Sequence, residues 1–345
     1  MKTKQLFAAL VCCASLGSAA EANAKSWRVN HDQRAAANFL DLNAAMSSGE
    51  VTDGDTLYMD KGAKLSSEQK VTKRVTIIGP GYFIGENDAD EAYLTSSLFL
   101  EADGIKITGL HTKTVYVRAN NIVIERCRVT GDIDATGNYE ADDASIRSCF
   151  IDGRIRGQGT DGTDGWNLLN NIVYYRSNDR VVTSFSNILM DHNIVFHNYD
   201  VSVHTIEYIT NSTITNNIIY KTGNWSHLNI YNTKDSDHNI ISHNIFNTTP
   251  ENGLPVNNLV KEYSLSDIFA TGDSEVRDTY YVLKDLADVK TYATDGGAVG
   301  PFSGAYPYVM CGYPLYVPRF ESVTVPSQPT NGKLQINLVI KNQNQ

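Results

Sequence analysis

Seven positions recur along this chain at near-constant spacing: Leu110, Cys127, Cys149, Asn171, Asn193, Asn217 and Asn244. The intervals are 17, 22, 22, 22, 24 and 27 residues. A period that steady marks a solenoid, in which one turn of chain buries its apolar face only by stacking on its neighbours. Three residues before each later rung stand Ile124, Ile146, Leu168, Met190, Ile214 and Ile241. Two residues after it stand Val129, Ile151, Val173, Val195, Ile219 and Phe246. Both columns are apolar throughout and are expected to face inward. Short β-branched runs with no helical period between them predict an all-β fold, a right-handed parallel β-helix of roughly 22-residue coils with three short strands per turn.

The polar rungs are expected to be structural. Stacked asparagines donate and accept amide hydrogen bonds along the axis, and asparagine also tolerates the left-handed backbone of a sharp bend. Cys127 and Cys149 continue this ladder as small buried side chains. With Cys311 they leave an odd thiol count after the two cysteines near the N-terminus, at spacings that match no zinc pattern.

The opening Met1-Lys-Thr-Lys4, the apolar run Leu6 to Leu16 and Ala22-Asn23-Ala24 read as an export signal over residues 1–24. A lipid anchor at Cys12 or Cys13 lacks the small residues that usually precede one. The chain is therefore expected to be extracellular, on the cell surface or periplasmic, with no transmembrane segment. Without the signal, 27 basic residues stand against 38 acidic ones, a net charge of −11. That argues against nucleic acid as a partner, since binding phosphate needs a positive footprint.

Residues 25–53 read as an N-terminal cap, with Phe39, Leu42 and Met46 on one face of a short helix that would cover the open first coil. The β-helix is assigned to 54–250. Residues 251–345 form a proline- and aromatic-rich tail, ending in the alternating Leu334-Gln-Ile-Asn-Leu-Val-Ile340, a terminal strand. An exported chain with a capping helix, Gly54-Asp-Thr56 and Asn-Asn-Ile-Val repeats resembles bacterial extracellular β-helix proteins of the pectate-lyase-like fold. Pro318-Arg-Phe-Glu-Ser-Val-Thr-Val-Pro326 is similar to the tail of uncharacterised surface proteins in that group. The resemblance implies the fold far more than a function, because one scaffold hosts unrelated sites.

Two reactions of that fold can be tested against the residues. Polygalacturonase-like hydrolysis needs paired carboxyl groups. Asp142-Asp143 and Arg154-Ile-Arg156 are present, but no Gly-His-Gly exists, and the aspartates read as a solvated turn. A polysaccharide lyase needs a base, often beside calcium, to take the proton next to a uronate carboxyl. Lys221, His197 and Arg180 are the candidate bases, and Asp161 and Asp164 the candidate calcium ligands in a glycine-rich loop that lacks regular ligand spacing. No cofactor is expected unless calcium serves such a lyase.

One and three residues after the rung, Ile172 and Tyr174, Ile194 and Phe196, Ile218 and Tyr220 form apolar pairs on the outside of successive coils. A patch of that size needs a cover. Either the tail lies across it, or Tyr174, Phe196 and Tyr220 form an aromatic platform for sugar rings, flanked by Asp191, His192 and Asn216. The leading expectation is a non-catalytic protein that binds a polysaccharide, cell-surface glycan or other partner. The alternative is β-elimination on uronic-acid glycans.

Overall fold

The computed structural model describes residues 24–158, 163–231, 238–270, 277–313, 319–326, 328, 333–334 and 336–341. The predicted export signal lies outside these apart from Ala24, and so does Asp161. Among the described residues the chain forms a parallel β-helix with three sheets, of ten, ten and seven strands. It visits the sheets in rotation. Val123–Glu125 belongs to the first, Arg128–Val129 to the second and Ile133–Asp134 to the third, and Ser145–Arg147 returns to the first.

Neighbouring coils pair in register. Ile124 lies beside Ile146, Val129 beside Ile151 and Ile133 beside Ile155. Both predicted inward columns are buried, and they form one continuous core with Leu57, Ile77, Ile107 and Phe185. The alternation needed for a strand with one buried face is thus met on all three sides of the coil.

The rung is a hydrogen-bonded ladder. Asn171 Oδ1 accepts from the Cys149 N–H at 3.0 Å, and Asn193, Asn217 and Asn244 repeat the contact to the preceding rung at 2.8 to 2.9 Å. Each Nδ2 also donates to a main-chain carbonyl of the preceding coil, Ile146, Leu168, Met190 and Ile214 in turn. The ladder runs one step further than the repeat suggested. Asn258 Oδ1 accepts from the Asn244 N–H at 2.9 Å, and the second sheet ends at Leu259–Val260. At the other end, Cys149 Sγ takes the place of the amide, 3.5 Å from the Cys127 nitrogen.

One detail of the expected bend is corrected. The left-handed residues are Arg126, Ser148, Asn170, His192, Asn216 and His243, each one position before the rung. The rung asparagine itself supplies hydrogen bonds rather than the strained φ.

The helix at the start of the chain is Leu42–Ser47, capped by Asp41 Oδ1 on the Ala44 N–H. It buries Leu42, Ala45 and Met46 against the first strand of the third sheet, Gln69–Val71. Gln69 Oε1 accepts from Leu42 N–H, and Asn43 bonds to Glu68 and Lys70. Those bonds occupy polar groups that an open sheet edge would leave bare. At the other terminus Asn337–Lys341 pairs antiparallel with Arg319–Thr324, apart from the three parallel sheets.

Candidate functional site

The outward residues of the second sheet are stacked as the sequence implied. Tyr174 lies beside Phe196 and Phe196 beside Tyr220. They do not form an open platform, because residues from the segments 263–270 and 277–311 pack over them, over Tyr220 only in part. Tyr174 is 8% and Phe196 4% exposed, in a second apolar cluster with Ile268, Phe269, Tyr281, Val289, Val299 and Tyr308. The Tyr281 ring sits 6.2 Å from Tyr174 and 6.5 Å from Phe196. The tail-docking alternative therefore describes this surface.

The polar residues expected beside that platform serve the same docking. Asp191 accepts from Thr215 Oγ1 at 2.9 Å and Asn216 Nδ2 at 2.7 Å, and meets His192 Nδ1 at 2.8 Å. Burial raises the cost of ionising Asp191, but these hydrogen bonds outweigh it and hold its carboxyl below the ordinary value. Asn216 Oδ1 accepts from the Thr294 N–H, and the Asn216 carbonyl accepts from Gly300 N–H. Asn170 Nδ2 donates to Pro301 and Ser303, and Ser148 Oγ donates to Tyr306. The left-handed bend column is thus the seam along which the covering segment is held.

Two of the three candidate bases were expected on the outside and are found inside. The second-sheet strands Ile172–Tyr175, Ile194–His197 and Ile218–Lys221 are four residues long. Their fourth residue shares the inward face of the second, so Tyr175, His197 and Lys221 stack within the coil. His197 and Lys221 are both 0% exposed. Lys221 Nζ lies 3.3 Å from His197 Nδ1, which also meets Thr205 Oγ1 at 3.1 Å, while His197 Nε2 donates to Ser177 O at 2.9 Å. Neither base can reach a substrate on the outer surface.

Burial pulls the Lys221 ammonium from 10.5 to about 8, against a lift from Asp200, and pulls His197 from 6.5 to about 4, against the Ser177 carbonyl. A lysine whose folded value is depressed binds fewer protons when folded than when unfolded. Stability therefore rises with pH between about 8 and 10.5, and the full cost is present below 8. Lys221→Met is expected to abolish that rise and to stabilise the chain at neutral pH by about 2 to 3 kcal/mol. Urea midpoints of both proteins at neutral and alkaline pH measure this, and parallel pH profiles would refute it.

Asp164 is exposed, and its own N–H bonds to Asp142 Oδ1 at 2.9 Å. Among the described residues, no three His, Cys, Asp or Glu side chains converge as a metal-binding group. No helix among them is long and apolar enough to cross a membrane.

The third candidate, Arg180, leads to a face the sequence did not single out. Register in the third sheet aligns Lys70, Phe99, Tyr116, Asp134, Arg156, Thr183 and Glu207 in one outward column. Phe99 and Tyr116 stack at 4.7 Å with rings 8° from parallel. The Arg118 guanidinium lies 4.4 Å from Phe99 and 4.7 Å from the exposed Tyr139, and bonds Glu101 at 2.8 Å. Further along, Arg154 meets Asp132 at 2.7 Å and also Asp179, and Arg156 meets Asp134 at 2.5 Å.

The column ends at a backbone irregularity. Ser184 and Tyr208 occupy matching places in Val182–Ser186 and Ile206–Thr210, and both have left-handed φ, 70° and 58°. A bulky residue with positive φ inside a strand is an outlier that the surrounding structure must hold in place. Its effect is to re-aim the side chain. Glu207 and Tyr208 both face out between buried Ile206 and Ile209, and Tyr208 is 51% exposed. Arg180 bonds Glu207 through Nε, lies 4.9 Å from the Tyr208 ring and reaches its hydroxyl at 3.3 Å. Gly157, one coil earlier, makes room, since a Cβ there would lie 2.0 Å from the Ser184 carbonyl oxygen.

No family model matches this chain, and no curated protein matches it.

Proposed function

We propose that this is an exported β-helix protein that binds polysaccharide on the outer face of its third sheet and does not cleave it. The observation that carries the reading is Tyr208, turned outward by its own left-handed backbone and set beside the Arg180 guanidinium. Aromatic faces of this kind pack against the apolar faces of sugar rings, while adjacent charged groups bond to hydroxyls. Tyr116 in the same column offers further ring surface, and the exposed Tyr139 lies in the loop after the next third-sheet strand. Binding without cleavage is favoured because His197 and Lys221 are enclosed and Arg180 is committed to Glu207.

The test is affinity electrophoresis of the mature chain through gels containing neutral or uronic polysaccharides. At least one polymer should retard it, and Tyr208→Ala should weaken that binding roughly tenfold, the loss of one stacked aromatic contact. Equal retardation of the variant, or none of the wild type in any gel, would sink the reading.

A further inference from the structure

Resting on that reading, we infer that the ligand of the third-sheet face is a neutral, hydroxyl-rich polysaccharide lying along the solenoid axis, and not a uronate. The face is mixed in charge, its arginines balanced by carboxylates. Arg118, Arg154, Arg156 and Arg180 are each matched to a carboxylate, through Glu101, Asp132, Asp134, Asp179 and Glu207. The whole chain carries a formal charge of −10, so no positive field draws a polyanion toward this surface. A uronate carboxyl would have to displace a built-in carboxylate from its arginine and then sit beside it. Two like charges in one site disfavour ionisation of both.

A hydroxyl meets no such conflict. It donates one hydrogen bond and accepts others, so it can accept from a guanidinium N–H and donate to the carboxylate paired with it. Adjacent hydroxyls on one sugar ring can therefore bridge an arginine–carboxylate pair without breaking it. Such charge-assisted bonds are stronger than neutral ones. The accessible pairs also recur along the axis. Arg154 with Asp132 spans two neighbouring coils, and Arg180 with Glu207 spans the next two. Coils in register stand ~4.8 Å apart, close to the length of one hexose unit in an extended chain. Successive sugars would thus meet successive coils, with Tyr116 and Tyr208 as ring surfaces on separate third-sheet strands.

The experiment is calorimetric titration of the full chain with galactan, mannan and mixed-linkage glucan, and with polygalacturonate and alginate, at low and high sodium chloride. The expected result is binding to at least one neutral polymer with little dependence on salt, and none to either polyuronate. Glu207→Gln, which keeps the shape but removes the charge on the acceptor, should weaken neutral binding roughly tenfold. Polyuronate binding that fades with salt and strengthens in Glu207→Gln would overturn the neutral assignment while leaving the face as a glycan site. Neutral binding that Glu207→Gln leaves unchanged would overturn the role of the ion pairs. Binding to no polymer of either class would remove this inference together with the reading on which it rests. Should Glu207→Gln fail to fold by circular dichroism, the salt dependence and polymer preference of the wild type still decide between the classes.

Discussion

Asn217→Leu is expected to be among the most destabilising single substitutions in the coil, at roughly 3 to 6 kcal/mol, because it orphans several buried polar groups at once. Asn217 Oδ1 accepts from Asn193 N at 2.8 Å and from Asn193 Nδ2 at 2.9 Å. Its Nδ2 donates to Met190 O and to Asn244 Oδ1, both at 2.9 Å. Leucine has the same number of side-chain heavy atoms but is bulkier, so no cavity is left and the cost is lost hydrogen bonding together with some overpacking. The Asn193 N–H and the Met190 carbonyl lie too deep for water to replace the partner.

The cysteine rungs supply the comparison. Cys149 Sγ stands 3.5 Å from the Cys127 nitrogen and 3.4 Å from the Ile124 carbonyl, so a thiol occupies the same node with weaker bonds. Asn217→Cys should therefore cost clearly less than Asn217→Leu. Urea denaturation of both variants followed by far-UV circular dichroism measures the difference. If leucine and cysteine destabilise equally, packing rather than the ladder holds the corner.

How far the molecule was legible in the sequence follows from which residues obey the alternation of a strand. The rungs and the columns beside them, Ile124 through Ile241 and Val129 through Phe246, obey it, so the three-sheet coil could be read from spacing alone. Asn258 escaped because only 14 residues separate it from Asn244. There the second sheet passes directly from Ile245–Phe246 to Leu259–Val260, and a full-coil period no longer applies.

His197 and Lys221 were misplaced for a different reason. Polar residues are usually exposed, but in a four-residue strand the fourth position returns to the interior. His197 is accommodated by Thr205 and the Ser177 carbonyl, and Lys221 by His197 in turn, contacts that no spacing reveals. Tyr208 was invisible because a left-handed residue in mid-strand resets the alternation, and nothing in Ile206-Glu-Tyr-Ile209 announces it. The apolar outward pairs were found correctly. Their exposure was not readable, since it depends on chain some 40 to 140 residues away.

Loss of that cover has the second large expected effect. Deleting residues 263–345 should leave a β-rich but aggregating protein, because Phe150, Ile172, Tyr174, Ile194, Phe196, Ile218 and Ile245 would face water together. Burying a large apolar side chain contributes about 1.5 to 3 kcal/mol, so uncovering seven reverses a favourable term larger than the net stability of most domains. A contiguous patch of that extent promotes association.

Tyr281→Ala isolates the effect within the full-length chain. Tyr281 is 6% exposed, and its ring lies within 6.5 Å of Phe150, Tyr174, Phe196 and Phe269. Truncation should cost about 3 to 5 kcal/mol, as for other buried aromatics. A polar lock nearby makes the segment cooperative with the coil. Asp278 Oδ2 accepts from Cys311 N–H at 2.7 Å and from Tyr308 at 3.2 Å, and the Tyr308 hydroxyl meets that of Tyr82 at 2.5 Å. The expected signature is binding of a hydrophobic dye by Tyr281→Ala at urea concentrations where the wild type still excludes it, with the far-UV spectrum unchanged. A deletion variant that stays monodisperse and binds no dye would show that the coil's outward aromatics tolerate water and that the covering segment is not what keeps the coil soluble.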